Sequence, residues 1–393
     1  MKRPTKLRAA LAAFVVLLLL AVGYKGGERA SDQKRIRLAA VEQKKFTVAP
    51  PDLIRDPAGG YEEDYVAPPG MRRTAHGSSI TELPDHTLLC AWYAGVNESG
   101  PDVKIYTSHF DANEKTWSAP AIVAEYGERA EWSFFHTRSV GNPSLYVDDD
   151  GIVWMFYAAI QTGGWDGART DYKISRDNGF TWSRPKTLVH FWSNLPRNKP
   201  IRLSQNEFAL PLYHTVGGKY GYTCTVTVAD GEITHRTFAV ISGARHSQPA
   251  IVRASPDELF AYLRDPAHTD VLFSRFNLAR QQWFTVEHLQ LPNPNSALDV
   301  VRTPDGKILL VYNDNRVARV PLSLAMSDDG RHFTKVHDLE NAQRGKWFSY
   351  PAIIRAADGT YHVTYSDSDH HTIKHVQFSQ TWLDEKVRAG TTR

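Results

Sequence analysis

The sequence predicts an all-β fold: a ring of six antiparallel sheets, a six-bladed β-propeller, behind an N-terminal hydrophobic signal or anchor helix. Three observations predict it. The composition is globular and rich in strand and turn formers: 393 residues, 42% hydrophobic, 23% charged and 11% aromatic, with 26 Gly and 22 Pro. One pattern of polar cluster, aliphatic pair, turn and apolar strand recurs six times. No long amphipathic helix pattern interrupts those repeats.

At the N-terminus, Lys2, Arg3, Lys6 and Arg8 precede an uncharged run from Ala9 to Tyr24 that includes Phe14–Leu20. This is the basic region and apolar region of an export signal. Sixteen residues fall just short of the roughly 17–25 that cross a bilayer, and Ala21-Val22-Gly23 offers a small-residue cleavage site. Residues 1–24 therefore read either as a cleaved signal peptide or as a transmembrane signal anchor. Both place the rest of the chain outside the cytoplasm, periplasmic or extracellular, and the anchor adds association with the inner membrane. Residues 25–60 are polar and basic, then Pro-rich at Ala49-Pro50-Pro51-Asp52, and read as a polar tether. The propeller is expected over residues 61–385 and a short tail over 386–393.

The formal net charge of +3 is unevenly distributed: residues 1–47 hold eleven Lys/Arg against three Asp/Glu. The remainder carries 35 basic and 40 acidic residues, a mildly acidic body with no electrostatic reason to bind nucleic acid. Two cysteines, Cys90 and Cys224, are too few for a disulfide framework or a Cys-based metal site, and read as separate buried thiols.

The repeats begin at His76-Gly-Ser78-Ser-Ile, Gly141-Asn-Pro143-Ser-Leu, Arg197-Asn-Lys-Pro200-Ile, His246-Ser-Gln-Pro249-Ala-Ile, Asn293-Pro-Asn-Ser-Ala297-Leu and Phe348-Ser-Tyr-Pro351-Ala-Ile. With 78, 143, 200, 249, 297 and 351 as anchors, the strand-ending residues Tyr93, Tyr157, Tyr213, Leu263, Tyr312 and Tyr365 follow at 15, 14, 13, 14, 15 and 14 residues. Between them lie turn signals such as Asp148-Asp-Asp-Gly151 and Thr303-Pro-Asp-Gly306, so each unit opens with a β-hairpin. Anchor spacings of 65, 57, 49, 48 and 54 residues suit one four-stranded blade each. A second marker, Ser175-Arg-Asp177-Asn-Gly179-Phe-Thr181-Trp182, has the form of a capped turn: Asp and Ser hold backbone N–H groups and Gly takes positive φ. Weaker copies fall at 111–117, 274–283 and 328–333, and the third unit lacks one.

That octapeptide resembles the Asp-box of the sialidase (neuraminidase) superfamily, in its bacterial-neuraminidase-repeat, sialidase-like branch. The resemblance covers about residues 70–380. It also rests on Trp92-Tyr-Ala-Gly with Glu98-Ser-Gly-Pro-Asp102, on Arg197-Asn-Lys-Pro200, Leu291-Pro-Asn-Pro-Asn-Ser296, Phe348-Ser-Tyr-Pro-Ala352 and Ile373-Lys-His375. It implies an exo-α-sialidase-like glycoside hydrolase acting on glycans that carry an acidic sugar, with no cofactor.

In a propeller the residues before each anchor point to the axis, which gathers His76, His136, Asn142, Arg197, Asn198, His246, Gln248, Asn293, Asn295 and Tyr350. Arg264, Asp265 and Arg319 follow second strands and reach the same face. By the resemblance, Arg264 and Arg319 are two of three arginines that clamp a substrate carboxylate, a role suited to planar guanidinium forks. His76 stands where the other arginine is usual. Glu98, or Asp102 on the same loop, is the acid/base. Tyr350 is the nucleophile, and the segment His246-Ser-Gln248 occupies the slot of its glutamate partner, so His246 is a candidate base. Substrate-binding candidates are then His76, Arg197, Gln248, Arg264, Asp265, Arg319 and Asn293. No metal site is expected, because the histidines show no local ligand spacing. Two other readings stay open: a non-catalytic carbohydrate-binding propeller, and a polysaccharide lyase using His and Tyr.

Overall fold

The computed structural model describes residues 4–43, 53–56, 58–112, 114–341, 346–368 and 371–391, with side chains throughout except at 4–14, 17–22, 55 and 391. Six sheets follow one another around a ring, the six-bladed propeller expected. Blade I is built from Thr74–Glu82, Leu88–Gly95 and Lys104–Asp111, edged by Thr116–Trp117 and Ala121–Ala124. Blade II is Ser139–Val147, Val153–Ile160, Ala168–Ser175 and Lys186–Val189. Blade III pairs two short inner pieces, Asn194–Pro196 and Ile201–Ser204, with Glu207–His214, followed by Tyr220–Ala229 and Glu232–Val240. Blade IV runs Ser247–Arg253, Glu258–Arg264 and Asp270–Asn277, edged by Gln282–Trp283 and Glu287–Pro292. Blade V is Asp299–Arg302, Ile308–Asn313, Leu322–Ser327 and Thr334–Glu340.

Blade VI takes only three strands from the last repeat: Phe348–Arg355, Tyr361–Asp367 and Thr372–Phe378. Its next strand, Tyr61–Tyr65, comes from before the first repeat and pairs antiparallel with Thr372–Phe378. The ring is thus closed by main-chain hydrogen bonds between the two ends of the domain, which leaves no open blade edge there.

Each sheet buries both faces against its neighbours. Every residue of Leu88–Gly95, Val153–Ile160, Ile308–Asn313 and Tyr361–Asp367 is buried. That is why the first three read as nearly unbroken apolar runs rather than as alternating ones, whereas Tyr361–Asp367 buries His362, Thr364, Ser366 and Asp367 between its apolar residues. The thiols Cys90 and Cys224 are free and buried.

Four of the six repeat anchors prove to be β-bulges. Pairing shifts between His76 and Ser79, Gly141 and Ser144, Ser247 and Ala250, and Ser349 and Ala352. In each bulge the residue before the anchor has positive φ: Gly77 at 63°, Asn142 at 48°, Gln248 at 51° and Tyr350 at 57°. A bulge re-aims one side chain relative to the alternation of the strand, and here it turns Asn142, Gln248 and Tyr350 toward the axis.

Below that point the axis is plugged by one tripeptide. Arg197 donates from Nη1 to Ser78 O (3.0 Å) and from Nη2 to Tyr350 O (2.7 Å) and Pro351 O (3.1 Å). Asn198 donates to Gln248 O (3.2 Å) and Pro249 O (3.0 Å), and its own carbonyl accepts from Ser144 Oγ (2.8 Å). Lys199 Nζ is 2.6 Å from Asp299 Oδ2, which also accepts from Ile353 N (2.9 Å). Three consecutive residues of blade III therefore bind the inner strands of the other five.

The ends of the chain differ from the expected tether and tail. Helix α1 spans Pro4–Gln43, and helix α2 spans Gln380–Thr391. Residues 25–43 carry ordered contacts: Arg138 Nε meets Asp32 Oδ2 at 2.8 Å with both side chains buried, and Gln43 Nε2 donates to Gly70 O at 3.1 Å. In α2, Trp382 and Leu383 are buried, and Trp382 stacks on Tyr61 at 4.9 Å. These apolar residues make a helix that covers blade VI out of the expected tail. Residues 1–3, 44–52 and 392–393 of the expected leader, tether and tail lie outside the described residues. Among the described residues no helix is long and apolar enough to cross a membrane.

Ring closure buries charge as well as apolar surface. Lys374 Nζ lies 3.0 Å from Glu63 Oε2 and 2.6 Å from Glu340 Oε1, and the three side chains are 7%, 3% and 15% exposed. Lys374→Met leaves two carboxylates without their cation, and is expected to cost about 3–5 kcal/mol in denaturant unfolding; an unchanged midpoint contradicts the closure role.

A second test is pH. His362 Nδ1 lies 3.0 Å from His375 Nε2 in blade VI, and both rings are buried. Burial pushes His362 down to about 4, and burial together with His362 pushes His375 well below the usual range. The unfolded chain binds protons that these rings refuse. Stability is therefore expected to fall as pH drops from about 6.5 toward 4, by about 3 kcal/mol for His362 alone, and the decline should be smaller by at least that amount in the double variant His362→Gln/His375→Gln; a decline equal to the wild type's contradicts the assignment.

Candidate active site

On the face where the inner strands begin, the axis opens into a cavity of about 550 Å³, within the roughly 300–1,000 Å³ of small-ligand sites. His76, Glu98, Gln248, Arg264, Arg319 and Tyr350 line it together. Each arrives by a different route: His76, Gln248 and Tyr350 sit at inner-strand bulges, Arg264 ends the second strand of blade IV, and Glu98 and Arg319 come from loops after second strands.

Tyr350 is the centre of the arrangement. Arg264 Nη1 donates to its Oη at 2.8 Å and to Gln248 Oε1 at 3.0 Å. Gln248 Nε2 lies 3.4 Å from the same Oη. The guanidinium carbons of Arg197, Arg319 and Arg264 are 5.0, 5.5 and 5.9 Å from the ring centroid. Burial raises the phenol, but the Arg264 and Arg319 cations and the Gln248 hydrogen bond outweigh it and hold Tyr350 below its ordinary value. Its oxygen is surrounded by donors, the setting that favours a phenolate.

His76 packs on Tyr350 with ring centroids 4.1 Å apart and binds Ser366 Oγ through Nδ1 at 2.7 Å. Burial, then the charges of Arg319, Arg197 and Arg264, drive it well below the ordinary histidine range. It is therefore neutral at neutral pH and supplies a polar ring where a cation was expected. Glu98 accepts a hydrogen bond from Tyr93 Oη at 2.8 Å. Burial, then Glu98, pushes the Tyr93 phenol far up, so it stays a donor.

The remaining candidates have other places. Asp102 Oδ2 accepts from Val96 N at 2.6 Å; it closes the loop that carries Glu98 and does not line the cavity, so of these two candidates Glu98 is the one in it. His246 does not reach Tyr350: its Nδ1 donates to Ala244 O at 2.6 Å, because the bulge two residues later directs Gln248, not His246, to the axis. Arg197, 1% exposed, lies under Tyr350 rather than in the cavity. Asp265 caps its own turn through Ala267 N (2.7 Å) and Thr269 N (2.9 Å). Asn293 is tied to Ser296, and Asn295 receives Arg264 Nε at 2.5 Å. His136 packs on Tyr126 at 5.5 Å, outside the cavity.

The cavity also uses residues that no motif singled out as functional: Trp165, Asp166, Tyr213, Thr215 and Lys219. Tyr213 Oη accepts from Asn142 Nδ2 at 3.1 Å. The repeat had marked Tyr93 and Tyr213 as strand-ending aromatics; their position beside the axis was the available signal.

A six-bladed propeller with a cationic, tyrosine-centred cavity on its axis defines the class. Residues 86–363 match the BNR repeat-like domain, and the chain belongs to that family, within the sialidase and BNR-repeat superfamily. Solved structures agree in fold. A Hadza microbial sialidase superposes with TM-score 0.66 at 16% identity, over 81% of this chain and 69% of that one. The NanB sialidase from Streptococcus pneumoniae gives 0.65 at 12%, over 79% and 69%. The α-L-arabinanase of Penicillium chrysogenum gives 0.59 at 15%, over 85% and 99%. No curated protein matches the chain in sequence. The shared architecture is that of a glycosidase-like propeller.

The cation cluster makes a direct prediction. In a spectrophotometric titration, one tyrosine is expected to ionise below the usual range near pH 10, and that component should disappear in Tyr350→Phe; a wild-type titration that matches the variant refutes the assignment.

Proposed function

We propose that this protein is a sialidase-like exo-glycosidase that removes an acidic sugar from a glycan outside the cytoplasm. The observation that carries the reading is the Arg264 Nη1 to Tyr350 Oη contact of 2.8 Å, with Arg319 and Glu98 in the same cavity. Arg264 and Arg319 hold the carboxylate of the sugar, a role for paired guanidinium groups. Glu98 protonates the leaving oxygen. Tyr350, kept acidic by its cationic surroundings, attacks the anomeric carbon, and water guided by Glu98 then releases the sugar. Gln248 and Arg264 take over the orienting part of a glutamate partner by fixing the phenolic oxygen.

The neutral His76, packed against Tyr350, favours one competing reading: a lyase in which this pair removes the proton beside a uronate carboxylate. Such a reaction leaves an unsaturated product that absorbs in the ultraviolet, whereas hydrolysis does not.

The test is hydrolysis of a panel of sialosides and uronic-acid glycosides. Tyr350→Phe and Glu98→Gln are each expected to lower kcat by about 10²–10⁴-fold, and Arg319→Ala to raise KM more than it lowers kcat. Binding of these sugars with no turnover by the wild type, or an unsaturated product, overturns the hydrolase.

A further inference from the structure

We propose that the loops entering blades II and III, at the place where α1 leaves the propeller, form a bilayer-docking surface that sets the cavity mouth against lipid. The first observation is exposure. Trp132 is 100% exposed, Phe134 74%, Phe191 81% and Trp192 50%. They lie on two connections, the one before Ser139–Val147 and the one after Lys186–Val189, both on the face where inner strands begin. That is the face of the cavity. Clustered exposed aromatics mark an interaction surface, and indole rings suit a boundary that is apolar on one side and wet on the other.

The second observation selects the occupant. Lys25 Nζ donates to Gln161 O at 2.6 Å and sits 5.2 Å from the centroid of Phe135. Trp192 Nε1 donates to the side chain of the same Gln161, Oε1, at 3.2 Å. Lys25 is the first charged residue after the uncharged run Ala9–Tyr24, and α1 is continuous from Pro4 to Gln43. The uncharged run therefore departs from the propeller beside these rings. A soluble protein partner would cover the rings and leave that run in water; a lipid surface takes up both.

The surface is braced to the cavity. Ser193 Oγ, next to Trp192, donates to Asp166 O at 3.0 Å, and Thr215 Oγ1 donates to Asp166 Oδ1 at 2.6 Å. Asp166 and Thr215 line the cavity. Docking by these loops brings molecules displayed at a lipid surface within reach of Tyr350, whichever reaction follows.

The test places single thiols in the full chain at Trp132→Cys, Phe191→Cys and Phe180→Cys. The natural cysteines are buried, so a polarity-sensitive dye reports the introduced one. Phe180 is 72% exposed in the turn after Ala168–Ser175, on the opposite face, and is the control. In vesicles of phosphatidylcholine and phosphatidylglycerol, the dyes at 132 and 191 are expected to shift to the blue and to be quenched by a shallow spin-labelled lipid, while the dye at 180 does neither. Circular dichroism confirms that each labelled chain is folded. Dyes at 132 and 191 that behave like the one at 180, or that respond to added soluble protein but not to vesicles, overturn the proposal.

Discussion

Six sheets packed face to face around an axis leave the polar beginnings of six inner strands without water. The fold depends on how that axis is satisfied. Arg197, Asn198 and Lys199 do it from one blade, because side chains of three lengths reach three directions and their donors meet carbonyls and one carboxylate. Replacing those bonds with unpaired backbone groups in the centre of the ring would cost far more than any single surface contact contributes. The same bonds fix the carbonyl of Tyr350. The floor of the cavity and the hub of the propeller are therefore one structure.

This explains how so much positive charge is tolerated in a small space. Three guanidinium groups approach one phenol ring, one from below and two in the cavity. Each is held by oxygen acceptors, and the neutrality of His76 and the acidity of Tyr350 are the responses that relieve the repulsion. Backbone strain contributes as well: Gln248 and Tyr350 keep left-handed backbone although neither is Gly. Such strain persists where surroundings over-determine it, commonly at functional sites.

Much of the fold was legible because propeller repeats are local. The Pro or Ser anchors and the aromatics that follow at nearly constant offset mark hairpins, and hairpins are short-range objects. Gln248, Arg264, Arg319 and Tyr350 could be placed on one face from their phase in the repeat, and Glu98 from the family resemblance of its loop. What the phase could not show is which way a side chain points inside a bulge. One inserted residue exchanges the two faces of a strand, so His246 and Gln248 trade roles, and Arg197 turns from the cavity to the hub. Asp102 and Asp265 look like site carboxylates in the sequence but spend their oxygens on neighbouring N–H groups. Nothing local foretold that Tyr61–Tyr65 would complete blade VI or that α1 would settle on the rim of the cavity.

Local chemistry by itself determined the number of sheets, their hairpins and capped turns, and the set of polar residues near the axis, since each depends on contacts between residues close in the chain. Only the tertiary structure decided which of those residues meet, which are spent on the hub, and where the N-terminal helix exits, because those outcomes depend on groups more than a hundred residues apart competing for the same few hydrogen-bonding partners in a space closed to water.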